Sequence, residues 1–289
     1  MNSSQLPGGL LLDGELHRSF EFAPITGMLE REIAESGLGM HSLARQVTNI
    51  LAYALDNVAG QRVTKKMIRM LSSGDREFLI LYLHSLLEPD PRWITRRCAE
   101  CDQPVQFQID AAALPVKSAG EKYPQTALKL SFCDAQMRVP IGTDEEALAD
   151  NCEDHDSAMS MLLKRLLTLG DENCLDQAIA YDRLTTSDLL MIDRVLDQMS
   201  PQISRSVNIT CPYCLTEQLQ SIDNYEWIIH ENSSLDEQIH TLAFYYHWSE
   251  KEILSLPKKR RSQYVTLIER NLFKGRGDVD HSDVSRGGI

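Results

Sequence analysis

The sequence predicts an α+β fold: short antiparallel β-hairpins with packed helices, two zinc-knuckle-like repeats and a C-terminal helical module. Three observations carry that prediction. Helical and strand-like periodicities interleave along the chain. Two Cys-x-x-Cys turns, Cys98–Cys101 and Cys211–Cys214, each sit between strand-like stretches and each follow a helix-like stretch. The text from Ser234 onward then changes to closely spaced helical patterns with no strand signal between them. The organisation expected is an N-terminal hairpin arm and first helix over 1–40, and an α+β core with the duplicated knuckle units over 41–230. A three-helix module over 233–273 and a disordered tail over 274–289 complete it.

In order, residues 1–9 read as a mobile polar arm. Leu10–Leu12 and Leu16–Phe22 flank an Asp13-Gly14 turn signal, which predicts a β-hairpin. Pro24 stops the second strand and Gly27 precedes a helix around MLEREIAES. Leu43, Val47, Ile50, Leu51, Leu55 and Val58 keep helical spacing, which predicts one helix over 41–59 closed by Gly60. A short helix around Lys65–Leu71 follows, then a longer one from Gly74 to Leu87 that Pro89-Asp90-Pro91 ends. Beyond the first knuckle, TALKLSF and MRVPI alternate around Asp134-Ala135, predicting a second hairpin. The acidic run DEEALADNCEDHD reads as a solvated helix start or loop, and it lacks the oxygen spacing of an EF-hand. Met159–Leu167 is an apolar helix; Thr185 and Asp188 resemble a capping box that opens the next one, with Pro201 as its stop.

The two knuckles read as one supersecondary unit used twice. Asp75 and Ser187, near the starts of the preceding helices, lie at nearly equal distances before Cys98 and Cys211. Asp110 and Asp223 close the following strands at matching positions. Four thiolates in two such turns are what a tetrahedral Zn²⁺ needs, and four protein ligands leave no open position, so the site is structural rather than catalytic. The separation of the pairs far exceeds the roughly 15–20 residues of a compact ribbon. One metal at Cys98, Cys101, Cys211 and Cys214 would therefore tie two halves of the chain together. Two reduced thiol pairs and redox CxxC sites are the alternatives; a thioredoxin-like site expects the motif at a helix start, and here strand-like residues follow.

Composition narrows the function. The formal net charge is −13 at pH 7, which argues against nucleic acid despite Arg92, Arg96 and Arg97 beside the first knuckle. No run approaches the length of a membrane span, and MNSSQLPGG lacks a basic-then-apolar leader pattern, so a cytoplasmic location is expected. Seven cysteines, an odd number, suit a reducing compartment with a metal site. Cys133, Cys152 and Cys174 read as small buried residues or unpaired thiols. No HExxH, phosphate-cradling glycine loop or nucleophile elbow is present, so no enzyme is expected.

In the C-terminal region, Ser234/Glu237 and Ser249/Glu252 have capping-box spacing. A module this small needs something to pack on. Lys258–Arg261 place four cations in the first turn of the last helix, where the macrodipole disfavours them; contact with an acidic surface and a solvated turn are both open. His240 and His247 read as packed rather than ligating. Tyr245, Tyr246, His247, Trp248 and Tyr264 form a candidate partner surface, because Tyr and Trp concentrate at interface centres.

Two stretches resemble a known family: LPGGLLLDGELHRSFEFAPITGMLE near the N-terminus and LAFYYHWSEKEILSLPKKRRSQYVTLI near the C-terminus. They look like the phage baseplate proteins named for the baseplate hub assembly protein of the T-even phages, over most of residues 5–272. The resemblance implies a non-enzymatic part or assembly factor of a contractile tail, or of a phage-tail-like injection particle. Its partners would be hub, spike or tape-measure proteins. It would work in the cytoplasm of the host bacterium during assembly, and either leave as a chaperone or stay in the virion's baseplate. The rivals are a zinc-ribbon nucleic-acid-binding or transcription-associated factor and a thiol oxidoreductase.

Overall fold

The computed structural model describes residues 5–36, 42–88, 90–152, 154–170, 181–222, 225 and 233–277. In chain order its elements are β1 (Gln5–Leu12), β2 (Glu15–Phe22), α1 (Gly27–Ser36), α2 (Leu43–Ala54), β3 (Leu55–Val58), β4 (Gln61–Arg62), α3 (Lys65–Met70), α4 (Ser73–Leu87), β5 (Arg92–Arg97) and β6 (Pro104–Ile109). Then follow β7 (Val116–Lys117), β8 (Gln125–Lys129), β9 (Asp134–Arg138), α5 (Gly142–Asn151), α6 (His155–Leu166), β10 (Leu167–Leu169), α7 (Thr186–Met199), β11 (Gln202–Ile203), β12 (Ser206–Thr210), β13 (Glu217–Ser221), α8 (Ser233–Tyr246), α9 (Glu250–Leu254) and α10 (Lys258–Gly277). Helices and antiparallel strands alternate, so the α+β class holds. The chain divides into two compact units. One takes residues 1–23 and 36–229, the other 24–35 and 230–289, each as far as they are described.

In the first unit, β1 to β4 form a four-stranded sheet in sequence order. The Asp13-Gly14 turn has φ of 51° and 84°, the pair of positive values that a two-residue hairpin of matching twist requires. Strand β1 begins at Gln5, inside the stretch expected to be mobile. Its anchor is the carboxylate of Asp75, which accepts from the amides of Gly8 (2.7 Å) and Gly9 (3.1 Å). The helix expected over 41–59 ends at Ala54, and Leu55–Val58 instead pairs with β2 as β3. Leu55 and Val58 are both buried by that turn into the sheet, which keeps both side chains in the core with a β-branched residue in a strand.

Helix α4 is buried on nearly all sides, as a helix without a polar face must be. Phe78 and Tyr82 on it meet Phe20 and Phe22 of β2, with Phe22 stacked on Tyr82 at 5.6 Å. Phe20 and Phe78 are fully buried and contribute about 1.5–3 kcal/mol each, while Phe22 and Tyr82 are half-buried. Gly74, at its start, lies so close to the Pro201 carbonyl that a Cβ would collide with it.

Strands β8, β9 and β10 form a second sheet, order β10-β9-β8. The turn of the expected second hairpin lies at Leu130–Cys133, just before the Asp134-Ala135 anticipated, closed by Leu130 N–H to the Cys133 carbonyl (2.9 Å). The acidic run is not a solvated stretch at its start. Asp144 is fully buried and receives Arg138 (2.6 and 2.8 Å) and Arg165 (2.7 Å). Glu146, also buried, takes Arg69 (2.9 Å), and Glu145 takes the wholly buried Arg76 (2.9 Å). Burial alone would raise the Asp144 carboxyl; the two arginines and the Ile141 amide more than offset it and hold the group below its ordinary value.

The second unit joins α1 to α8, α9 and α10. Ile253, Leu242 and Ile268 form its centre, with Tyr246, Trp248 and Tyr264 packed against them. The packing partner that the C-terminal helices needed is α1, from the other end of the chain. Arg261 fastens it: wholly buried, it donates to both carboxylate oxygens of Glu30 (2.7 and 2.8 Å), to Gln238 (3.0 Å) and to the Leu256 carbonyl (2.6 Å). Of the four cations, for which contact with an acidic surface and a solvated turn were both open, Arg261 meets the acidic Glu30 and is an internal tie. Helix α10 continues to Gly277, past the expected start of the disordered tail; residues 278–289 and 1–4 lie outside the described residues.

Candidate metal centre

Two hairpins build the cysteine site, and they match bond for bond. Strands β5 and β6 pair from Arg92↔Ile109 to Arg97↔Pro104, and β12 and β13 from Ser206↔Ser221 to Thr210↔Glu217. In the first turn the Cys98 amide donates to the Gln103 carbonyl (2.9 Å) and the Asp102 amide to the Cys98 carbonyl (3.0 Å). In the second, Cys211 and Thr216 (3.0 Å) and Leu215 and Cys211 (2.9 Å) repeat both bonds at the same offsets. The residue after each second cysteine takes a left-handed conformation, Asp102 at φ 55° and Leu215 at φ 62°.

The correspondence extends to the preceding helices, with a correction to one position. Ser72 caps α4 and Thr185 caps α7, each accepting from the amide of an aspartate three residues on, Asp75 and Asp188. Asp188, not Ser187, is the counterpart of Asp75: each stands equally far before its cysteine, 75 to 98 and 188 to 211. Both carboxylates are buried and both reach to another strand or turn, Asp75 to Gly8 and Gly9 and Asp188 to the amide and hydroxyl of Ser131 (both 2.7 Å). The Thr185 and Ser131 groups hold the Asp188 carboxyl well below its ordinary value despite its burial. Asp223, the expected end of the second unit, lies outside the described residues, as does Cys174.

The hairpins bring the four expected cysteines together. Their sulfurs all lie within 4.8 Å of one another. Two close approaches cross between hairpins: Cys98 to Cys214 at 3.6 Å and Cys101 to Cys211 at 3.7 Å. First cysteine meets second cysteine in both pairs, the reciprocity that two like hairpins facing each other produce. Sulfurs at the corners of a tetrahedron around a metal at ~2.3 Å are ~3.8 Å apart, so the cluster fits a four-coordinate ion. It is a thiol cluster, not a disulfide pair. Val105 and Ile209 pack around it, and the Gln218 side chain accepts from the Ala99 amide (3.0 Å).

Peptide amides aim at the sulfurs. Those of Cys101 and Glu100 lower the Cys98 thiol. The hydroxyl and amide of Thr216 bring Cys214 down to about 6. At Cys101 the Gln103 amide acts downward, but burial and the neighbouring thiols prevail and push it up to about 12. Four thiols this close cannot all ionise without a cation among them, and a divalent ion is the charge that the arrangement suits.

The aromatic residues of the candidate partner surface take different places. Tyr246 stacks on Trp248 (4.9 Å) and both meet Tyr264 edge-on (5.7 and 5.0 Å), half-buried against the core of the second unit. His247 ends α8 in a left-handed conformation, its amide donating to the Ala243 carbonyl (3.0 Å). Tyr245 is exposed beside the still more exposed Phe244.

A family model described as T4 bacteriophage base plate protein matches residues 28–227. The chain belongs to that family. The match spans both cysteine hairpins of this base plate protein, and narrows the extent expected from the resemblance. The two stretches that first suggested the family, ending at Glu30 and starting at Leu242, lie almost wholly beyond it. Membership supports a structural or assembly role in a phage base plate. No curated protein and no solved structure matches the chain. Among the described residues of the base plate protein, no helix is long and apolar enough to cross a membrane.

Proposed function

We propose that the chain is a non-enzymatic component or assembly factor of the baseplate hub of a contractile tail, or of a phage-tail-like particle, held in shape by one structural zinc ion. The single observation that carries the metal is the convergence of Cys98, Cys101, Cys211 and Cys214 from two hairpins far apart in sequence. Those four thiolates would hold the ion; when bound, it supplies a cross-link with no position open to substrate. The hairpins themselves align the sulfurs, through the paired turn bonds, the buried Val105 and the half-buried Ile209.

A groove of about 690 Å³ in the first unit lies between α4, α7, β7 and β11. Two ion pairs stand among its lining residues, Arg205 with Glu77 at 3.0 Å and Lys117 with Asp197 at 3.8 Å, and the non-enzymatic reading gives them a structural role. The partner surface proposed is the aromatic end of the second unit, with Tyr245 and His247 exposed and Tyr246, Trp248 and Tyr264 half-buried. It would engage hub, spike or tape-measure proteins. The work is done in the cytoplasm of the host bacterium, and purified particles show whether the chain stays in the tail.

Elemental analysis of the purified protein, alongside Cys98→Ser/Cys211→Ser, tests the metal. One zinc per chain, lost in the variant, is the expected result; metal-free protein with a full thiol count overturns it. Deleting the gene from a host that produces the particles tests the role. Tails lacking complete baseplates are expected, and normal contractile tails without the protein would refute a structural or assembly role.

A further inference from the structure

We propose that Cys214 is a site of oxidative modification, and that the modification resolves as a disulfide to Cys98 in the other hairpin, with release of the metal. This rests on the zinc reading above and adds to it what happens when the particle or the protein leaves a reducing compartment.

The argument begins with unequal exposure. Cys211 and Cys98 are buried, at 0% and 3% exposure, and Cys101 is half-buried. Cys214 alone of the four is exposed, at the tip of the second hairpin. A solvent-borne oxidant therefore meets the Cys214 sulfur first, and accessible thiolates beside a resolving cysteine are the ones that oxidise selectively.

Proximity then selects the partner. The sulfur 3.6 Å from Cys214 is that of Cys98, on the other hairpin. The second close approach, Cys101 to Cys211 at 3.7 Å, also crosses. A bond formed at either of these approaches links the two hairpins rather than closing one Cys-x-x-Cys turn. The resulting bond joins the same two hairpins that the metal joined, so one cross-link replaces the other.

The chemistry balances with a peroxide as oxidant. The Cys214 thiolate attacks one oxygen of hydrogen peroxide; an S–O bond forms, the O–O bond breaks, and the departing hydroxide takes a proton to become water. The Cys98 thiolate then attacks the Cys214 sulfur and expels the second hydroxide, which also leaves as water. Two electrons pass from the two sulfurs to the peroxide. Zinc remains Zn²⁺ throughout and departs because two of its four thiolates are consumed.

The test uses the full chain loaded with zinc. Metal content is read first; peroxide is then titrated in while a chromogenic chelator follows released zinc. Remaining thiols are alkylated, and non-reducing peptide mapping identifies the linkages. A sulfenic-acid trap added at the lowest peroxide dose marks the first sulfur attacked. The expected result is trapping at Cys214, Cys98–Cys214 as the first disulfide, loss of the bound zinc in step with it, and recovery of metal binding after reduction. A first disulfide within Cys98–Cys101 or Cys211–Cys214 overturns the proposal, as does oxidation of Cys133 or Cys152 while the four-cysteine cluster stays intact. Protein without zinc at the outset refutes the metal reading and this one with it. Zinc present but a different linkage refutes this one alone.

Discussion

Arg261→Met removes a buried guanidinium while keeping most of the side-chain volume. Arg261 has 0% exposure and makes four hydrogen bonds, two of them to Glu30, whose side chain is 15% exposed. With the arginine gone, the largely buried Glu30 carboxylate, Gln238 and the Leu256 carbonyl each lose the donor that satisfied them. Breaking a buried pair from one side costs about 3–5 kcal/mol, roughly two to three and a half powers of ten in the unfolding equilibrium of the second unit. Glu30→Leu alone strands the arginine and should cost a similar amount. The double variant removes both charges, and an apolar replacement of a buried pair is often close to neutral. Its loss should therefore fall well short of the summed single losses of about 6–10 kcal/mol. Amide hydrogen exchange in α1 reads this unit separately, and urea unfolding followed at Trp248 supplies the midpoint. Additive single losses, or an Arg261→Met protein within ~1 kcal/mol of the parent, would refute the role given to this tie.

Three further outcomes follow from particular positions. Gly74→Ala should lower stability by about 1–3 kcal/mol, because the added methyl meets the Pro201 carbonyl; an unchanged melting temperature would show that the loop yields freely. Leu215→Gly should raise stability by up to ~1 kcal/mol, since Leu215 sits at φ 62° with 75% exposure and relief of left-handed strain outweighs the little packing so exposed a side chain provides; a drop in chemical-denaturation midpoint would point to a packing role instead. The Asp188 carboxyl, held down by Thr185 and Ser131, contributes stability that is present above its ordinary value near about 4 and is lost as pH falls through its depressed value in the folded protein. Asp188→Asn should be the less stable protein at neutral pH, with the gap closing below about pH 4; an equal gap at every pH in an acid series would rule this out.

What could be read from sequence followed local chemistry. The Asp13-Gly14 turn, the cap formed by Thr185 and Asp188, and the Ser249/Glu252 capping box, closed in both directions (2.8 and 3.3 Å), are encoded within a few residues. The cysteines were legible for another reason: thiols in Cys-x-x-Cys turns have few uses, so two such turns imply each other across any distance. Charged residues carry no such restriction. Asp144 and Glu146 looked solvated because Arg138, Arg165 and Arg69 are not marked in the sequence as their partners. Arg261 and Glu30 lie at opposite ends of the chain, and nothing local to Lys258–Arg261 distinguishes the buried cation from the others. The end of α2 at Ala54 was missed because Leu55 and Val58 continue the helical spacing, and only pairing with the edge of β2 decides for a strand.

The membership of α1 in the second unit has a consequence for biosynthesis. The ribosome releases α1 well before its companions, so this unit cannot close until α10 has emerged. A chain that stops before Lys258 lacks Arg261, the guanidinium that Glu30 receives in the folded unit. Completion of the helical unit therefore waits on synthesis of α10. If partners dock on its aromatic end, an incomplete polypeptide is unfit for assembly from the outset.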